Sequence, residues 1–295
     1  MVVTVAAAAG AGASNRVAAI STKKPGSNAG LRCEGATMHD IPGSPGEAAY
    51  SALVTSAVYR AALGEGQTRL HSWTVPYGWL DFVDLYRTVS VMKTPPSATF
   101  VDLGCGLGAG SLWICMLHKD SKLVGIDRSR AAVAGARTLA AAAGIADRSR
   151  FEVAAAEATG LEDSSVDDAL SVDALSYMDA PAVIRELNRI LRPGGRFTCI
   201  ATEWIGTGHP PLASYVRDYR ALFETAHFTI VTHSYDLRER GVRDARALLA
   251  RGDALRAEIG EANAEPLLAY ARERLQNLEG EPRYRDVFFS ADKAP

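Results

Sequence analysis

Apolar positions along the chain follow two rhythms. Up to about residue 96 they recur every three or four residues, as on one face of a helix. This pattern predicts helices over residues 45–64 and 79–92, separated by an aromatic and polar stretch at 67–77, and Pro95 and Pro96 stop the second helix. From Ala98 onward, short apolar runs alternate with helical stretches. Strands are predicted at 98–103, 122–126, 150–154, 168–172 and 196–201, and helices at 110–118, 129–143 and 180–191. The turn Arg192-Pro193-Gly194-Gly195 stands before the fifth strand. Short apolar strands that take turns with helices specify parallel βαβ units in a doubly wound sheet.

Past the fifth strand the alternation loosens. A helix over 212–225 leads to a β-branched strand at 228–234, and helices follow at 242–259 and 265–279, the latter with Pro266 in its first turn. A strand at 284–290 closes the chain. The expected fold is α/β: a doubly wound, Rossmann-like, mostly parallel seven-stranded sheet, with N-terminal helices and a helical lid inserted before the last strand. Residues 38–96 form the predicted helical cap, 97–204 the ligand-binding core, and 205–295 the substrate-side helices and closing strands. Residues 1–37, rich in Ala, Gly and Ser, are expected to be disordered, or an over-long start with Met38 as the true beginning.

Composition narrows the classes. With 32 basic against 34 acidic residues the net charge is -2, so no basic field points to nucleic acid or an anionic membrane. Cys33, Cys105, Cys115 and Cys199 lie far apart with no C-x-x-C spacing, which argues against a metal site and fits a reducing, cytoplasmic setting. No apolar run approaches the ~18–20 residues of a membrane span. The expected partner is a small-molecule acceptor, and a homodimer is compatible with the sequence.

The chemistry concentrates in Phe100-Val101-Asp102-Leu103-Gly104-Cys105-Gly106-Leu107-Gly108-Ala109-Gly110. A strand, a glycine turn and a helix start require a tight reversal. The glycines alone also satisfy a dinucleotide pattern. Asp102 argues against that ligand: a pyrophosphate at this helix N-terminus would be repelled by a carboxylate two residues before the first glycine. A cationic ligand inverts the sign, and S-adenosylmethionine (SAM) carries an α-ammonium and a sulfonium. Asp127, at the end of the second strand, can accept both hydroxyls of a ribose, and Glu157, before Ala158, can accept an adenine amine.

Residues 98–201 resemble the core of a class I SAM-dependent methyltransferase of the small-molecule, natural-product branch. The resemblance rests on the D-L-G-C-G-x-G loop, Asp127, the pair Glu157-Ala158, the fourth-strand segment from Ser165 to Leu175, and the turn Leu191-Arg192-Pro193-Gly194-Gly195. It implies SAM as cofactor, with Asp102, Gly104 and Gly106 at the methionyl part, Asp127 on the ribose, and Glu157 and Ala158 on adenine. Val172 would approach through its backbone. Arg128 replaces the hydrophobic residue common at its position and would lay its stem or guanidinium plane along the ring. Tyr77, with Trp73, is expected to fold over the methionine end.

On the substrate side, α/β sheets place ligands at the carboxyl ends of strands. The catalytic candidates there are Tyr177, Glu203 and His209, with Ser176 and Trp204 beside them. The expected reaction is methyl transfer from SAM to an O, N or C centre of a metabolite (EC 2.1.1.-). The alternatives are a SAM-binding protein used as a cyclase or regulator, and a nicotinamide-dependent oxidoreductase, against which Asp102 stands.

Overall fold

The first strand, β1 (Thr99–Leu103), is buried along nearly its whole length, as an apolar run covered on both faces must be. The computed structural model describes residues 52, 56–63, 82–210, 214–235, 238–280 and 282–295. The expectations for residues 1–37, Trp73 and Tyr77 lie outside these residues.

Six further strands complete one sheet: β2 (Lys122–Asp127), β3 (Ser149–Val153), β4 (Val166–Val172), β5 (Leu191–Trp204), β6 (Phe228–Ser234) and β7 (Tyr284–Lys293). Their order is β3-β2-β1-β4-β5-β7-β6. The first five run parallel, and β7 lies antiparallel between β5 and β6. Strand order reverses between β1 and β4, and that switch point opens a crevice at the carboxyl ends of the strands.

Helices cover both faces. On one, α2 (Phe82–Val91), α3 (Ala109–Leu117) and α4 (Arg130–Ala142) pack on Phe100, Leu123, Phe151 and Leu170. On the other, α5 (Ala180–Ile190) and α6 (Tyr219–Thr225) pack on Val101, Ala169, Phe197 and Phe289. The α4 helix starts where Ser129 accepts the Ala132 N–H, and α5 starts where Asp179 accepts the Ala182 N–H. One ring joins loop and sheet on the first face. The Phe151 phenyl lies 2.7 Å from where a Cβ on Gly108 would stand, and it would overlap a Cβ on Gly125.

Between β6 and β7 three helices are inserted: α7 (Arg238–Leu249), α8 (Gly252–Ile259) and α9 (Glu261–Glu279). They share an apolar core with α1 (Ala57–Leu63), built on Tyr59, Ala62, Leu248, Leu255, Leu268 and Ala271. Glu258 of α8 holds the start of α1 by accepting the Ala57 and Val58 N–H groups at 2.7 and 3.1 Å. The cap is fixed to the sheet by Arg274 of α9, which forms a buried ion pair with Asp286 of β7. Asn277 also accepts the Tyr284 N–H and donates to its carbonyl.

Four predicted elements differ from the structure. The fifth strand starts at Leu191, immediately after α5, because Leu191 pairs with Val166 across a register shift that absorbs the Pro-Gly-Gly turn. Among the described residues, the helix expected over 212–225 is limited to α6, since Val216 pairs with Glu203 as a bridge and Asp218 caps the helix there. The helix expected over 242–259 breaks at Arg251, and Gly252 then packs closely on Leu268. The last helix begins at Glu261, so Pro266 falls in its interior, past the turn where a missing N–H has no consequence.

Candidate active site

The glycine loop takes the backbone conformations that its sequence requires: Gly104, Gly106 and Gly108 have φ of 75°, 53° and 68°. The Gly104 and Cys105 N–H groups donate to the Ile126 carbonyl at 2.8 and 3.1 Å, which pins the loop over β2. Asp127 then joins the loop to the start of α4. It accepts the Gly106 N–H on one carboxylate oxygen and the Ser129 N–H on the other, each at 2.8 Å.

Asp102 lies in the floor of this loop and is 5% exposed. Burial pushes its carboxyl up to about 7, the neighbouring Asp127 charge acts in the same direction, and a hydrogen bond from Ser111 opposes both. At the far end of the cleft Arg128 pairs with Glu157 at 2.7 Å, and Glu157 also accepts the Asp179 N–H at 3.1 Å. Ala158 is exposed on the turn after β3, where its N–H donates to Ala155. Val172 ends β4 beside this cleft, partly buried.

The acceptor-side candidates separate. Tyr177, in the turn Leu175–Tyr177, hydrogen-bonds Tyr270 of α9, and burial pushes its hydroxyl well above the usual phenol range. Ser176 accepts the Thr202 N–H at 2.7 Å. Trp204 is buried in β5, and His209 is exposed in the loop that follows. Glu203, a catalytic candidate in the sequence, is fully buried and has both oxygens engaged. One accepts the Tyr219 N–H at 2.7 Å, and the other pairs with Arg285 at 2.8 Å. Glu203 therefore ties β5, β7 and α6 together.

Residues 101–199 match the model of the family described as methyltransferase domain. That span contains Asp102, the glycine loop, Asp127, Glu157 and Val172. That stretch of the chain is similar to a methyltransferase domain.

The chain is also similar to known methyltransferases. It is 26% identical over 209 residues to the methyltransferase GfsG of Streptomyces halstedii, covering 65% of this chain and 73% of that protein. It is 27% identical over 170 residues to geranyl diphosphate 2-C-methyltransferase of Streptomyces lasalocidi. That match covers 58% of this chain and half of the relative's length. Among solved structures, the [4+2]-cyclase SpnF superposes with a TM-score of 0.67 at 20% identity, covering 82% of this chain and 93% of SpnF. At that identity the likeness is one of fold.

Sequence reasoning passed over two features of this site. Tyr270 and Arg274 belong to α9, well beyond the last of the motifs in the sequence, and no local pattern marks them. Asp173, directly after Val172, was legible only as an acid at a strand end, yet its φ of 55° marks it as unusual.

Proposed function

We propose that this methyltransferase moves the methyl group of SAM onto an oxygen, nitrogen or carbon centre of a small-molecule metabolite. Asp102 carries the reading. A buried carboxyl displaced to about 7 is matched to a ligand that brings positive charge, because an ammonium beside it favours the ionised form. A pyrophosphate at the same place would meet repulsion, which speaks against a nicotinamide-dependent reaction. When bound, SAM supplies a methyl group on a sulfonium, ready for in-line displacement.

The chain's own part is to bind and orient. Asp102 faces the ammonium, with Gly104 and Gly106 allowing close approach of the backbone. Asp127, at the end of β2, takes ribose hydroxyls. Ala158 and Glu157 meet the adenine edge, with Arg128 stacking beside it and Val172 lining the cleft through its backbone. Tyr77 covers the methionyl end. On the acceptor side Tyr177 orients the nucleophile, and His209 is the candidate for taking a proton from a hydroxyl acceptor. Glu203, tied to Arg285 and Tyr219, supports the wall.

The acceptor is read as a small metabolite, not a nucleic acid, in keeping with the net charge of -2. Among the described residues no helix is long and apolar enough to cross a membrane. A cytoplasmic setting fits the cysteine pattern. A second reading, a SAM-binding cyclase, is favoured by the fold shared with SpnF.

Two measurements decide between these readings. Calorimetry is expected to give heat with S-adenosylhomocysteine and none with NADH; the reverse would overturn the assignment. Mass spectrometry of incubations with SAM and candidate acceptors is expected to detect S-adenosylhomocysteine together with a product heavier by one methylene. Product of unchanged mass with SAM left intact would establish the cyclase reading instead.

A further inference from the structure

Both carboxylate oxygens of Glu157 are engaged by the protein itself. Oε2 takes the Arg128 guanidinium at 2.7 Å, and Oε1 accepts the Asp179 N–H at 3.1 Å. The two side chains are 31% and 15% exposed, so the ion pair lies part-sunk at the surface. Both partners rest on fixed backbone. Arg128 follows Asp127, whose carbonyl accepts the Ala154 N–H at 3.0 Å and whose carboxylate accepts the Gly106 N–H at 2.8 Å. Glu157 sits in a tight turn that the Ala158 N–H closes onto the Ala155 carbonyl at 3.1 Å.

These contacts run in a closed circuit. From the glycine loop, Gly106 leads to Asp127, then to Arg128, Glu157 and Asp179. Met178, beside Asp179, has its Cε 2.7 Å from where a Cβ on Gly104 would stand, and Gly104 returns the circuit to the loop. The Arg128–Glu157 pair is the link formed by two charged side chains; the other links use a backbone N–H or the bare face of a glycine. A carboxylate in contact with a guanidinium has its negative potential largely cancelled, so an amine donor gains little from it. A guanidinium instead offers a flat face that stacks on aromatic rings. Held by Glu157, that face is ordered before a ligand arrives, and covering a purine costs it little further freedom.

We propose that Glu157 is a positioning residue that acts on the cofactor through Arg128: it holds the guanidinium as a clasp over the base and does not itself read the exocyclic amine of adenine. This rests on the cofactor reading above, with the ribose at Asp127 and the base beyond it, and it refines the adenine-side contact given there. The clasp recognises a flat purine face, and the carboxylate adds no preference for an amine over an oxo group on that purine.

The test is calorimetry on the full-length protein with S-adenosylhomocysteine and with S-inosylhomocysteine, which carries an oxo group in place of the adenine amine. Arg128→Met keeps an unbranched stem and removes the charged plane. Glu157→Gln keeps an oxygen for the Asp179 N–H and removes the charge. Each single variant is expected to weaken S-adenosylhomocysteine about fivefold, and the double variant no more than either alone, because the two residues act as one unit. Glu157→Gln is expected to weaken S-inosylhomocysteine by the same factor, leaving the preference between the two ligands as in the wild type. Additive losses in the double variant, or a preference for S-adenosylhomocysteine that falls in Glu157→Gln, would show a direct contact with the amine and overturn the proposal. Wild-type affinity in either single variant overturns it too. A wild-type protein that takes up neither ligand overturns the cofactor reading instead, and this inference with it.

Discussion

The cofactor side of the sheet and the cap side treat buried carboxylates differently. Beneath the glycine loop, Asp102 and Asp127 are held by a hydroxyl and by backbone N–H groups, and each raises the other's field. Beneath the cap, Asp286 and Glu203 are each paired with a guanidinium, from Arg274 and Arg285. Dipolar support fixes a carboxylate in position while leaving its negative potential to act on a ligand. An ion pair neutralises it and fixes structure. The first arrangement is suited to receiving a cation and the second to holding a lid in register.

That contrast is open to experiment. The largest effect is expected from Arg274→Leu, which leaves Asp286 buried without its guanidinium and should lower stability by about 3–5 kcal/mol in urea unfolding. Replacing both partners, Arg274→Leu with Asp286→Leu, should recover much of that loss. A double variant as unstable as the single one would show that the pair does more than neutralise charge. Next, Asp127→Ala should weaken S-adenosylhomocysteine binding by about 1–3 kcal/mol in calorimetry, through lost hydrogen bonds. A folded variant with wild-type affinity would remove Asp127 from the ribose site.

Asp102→Asn tests the same side through pH. A carboxyl whose folded value is raised contributes stability that is complete below the ordinary carboxylate range and is lost as pH rises through about 7. The wild type without ligand should therefore lose melting temperature between about pH 5 and 8 relative to Asp102→Asn. Its affinity for S-adenosylhomocysteine should rise over the same interval as the carboxylate ionises, and the variant should be flat. Parallel curves for the two proteins would place the titration elsewhere. The smallest effect belongs to the partly exposed Arg128–Glu157 pair: Arg128→Gln should change stability by less than about 1 kcal/mol, and added salt should shrink that difference further.

The cofactor side was largely legible in the sequence because its determinants are local. β1 to β4 are short apolar runs, and their caps and acids fall within a few residues of strand ends, so Ser129 and Asp179 appear at the helix starts that the pattern implies. The cap side depends on pairings between distant residues. Glu203 reads as a free acid at a strand end until the β5–β7 register sets Arg285 opposite it. Gly252 looks like an ordinary interior residue of one long helix until Leu268 is seen packed against it. Nor does periodicity show that Val216 turns back to pair with Glu203 and so delays the start of α6.

The Phe151 ring has a consequence for how this cleft can change. It occupies the room that side chains would need at both Gly108 and Gly125, so the bend of the loop, the bare face of β2 and the bulk of β3 are set by one shared volume. These three positions can vary only in concert: a smaller residue at 151 would have to accompany any enlargement at 125. Even then position 108 stays glycine, because its φ of 68° excludes most other residues.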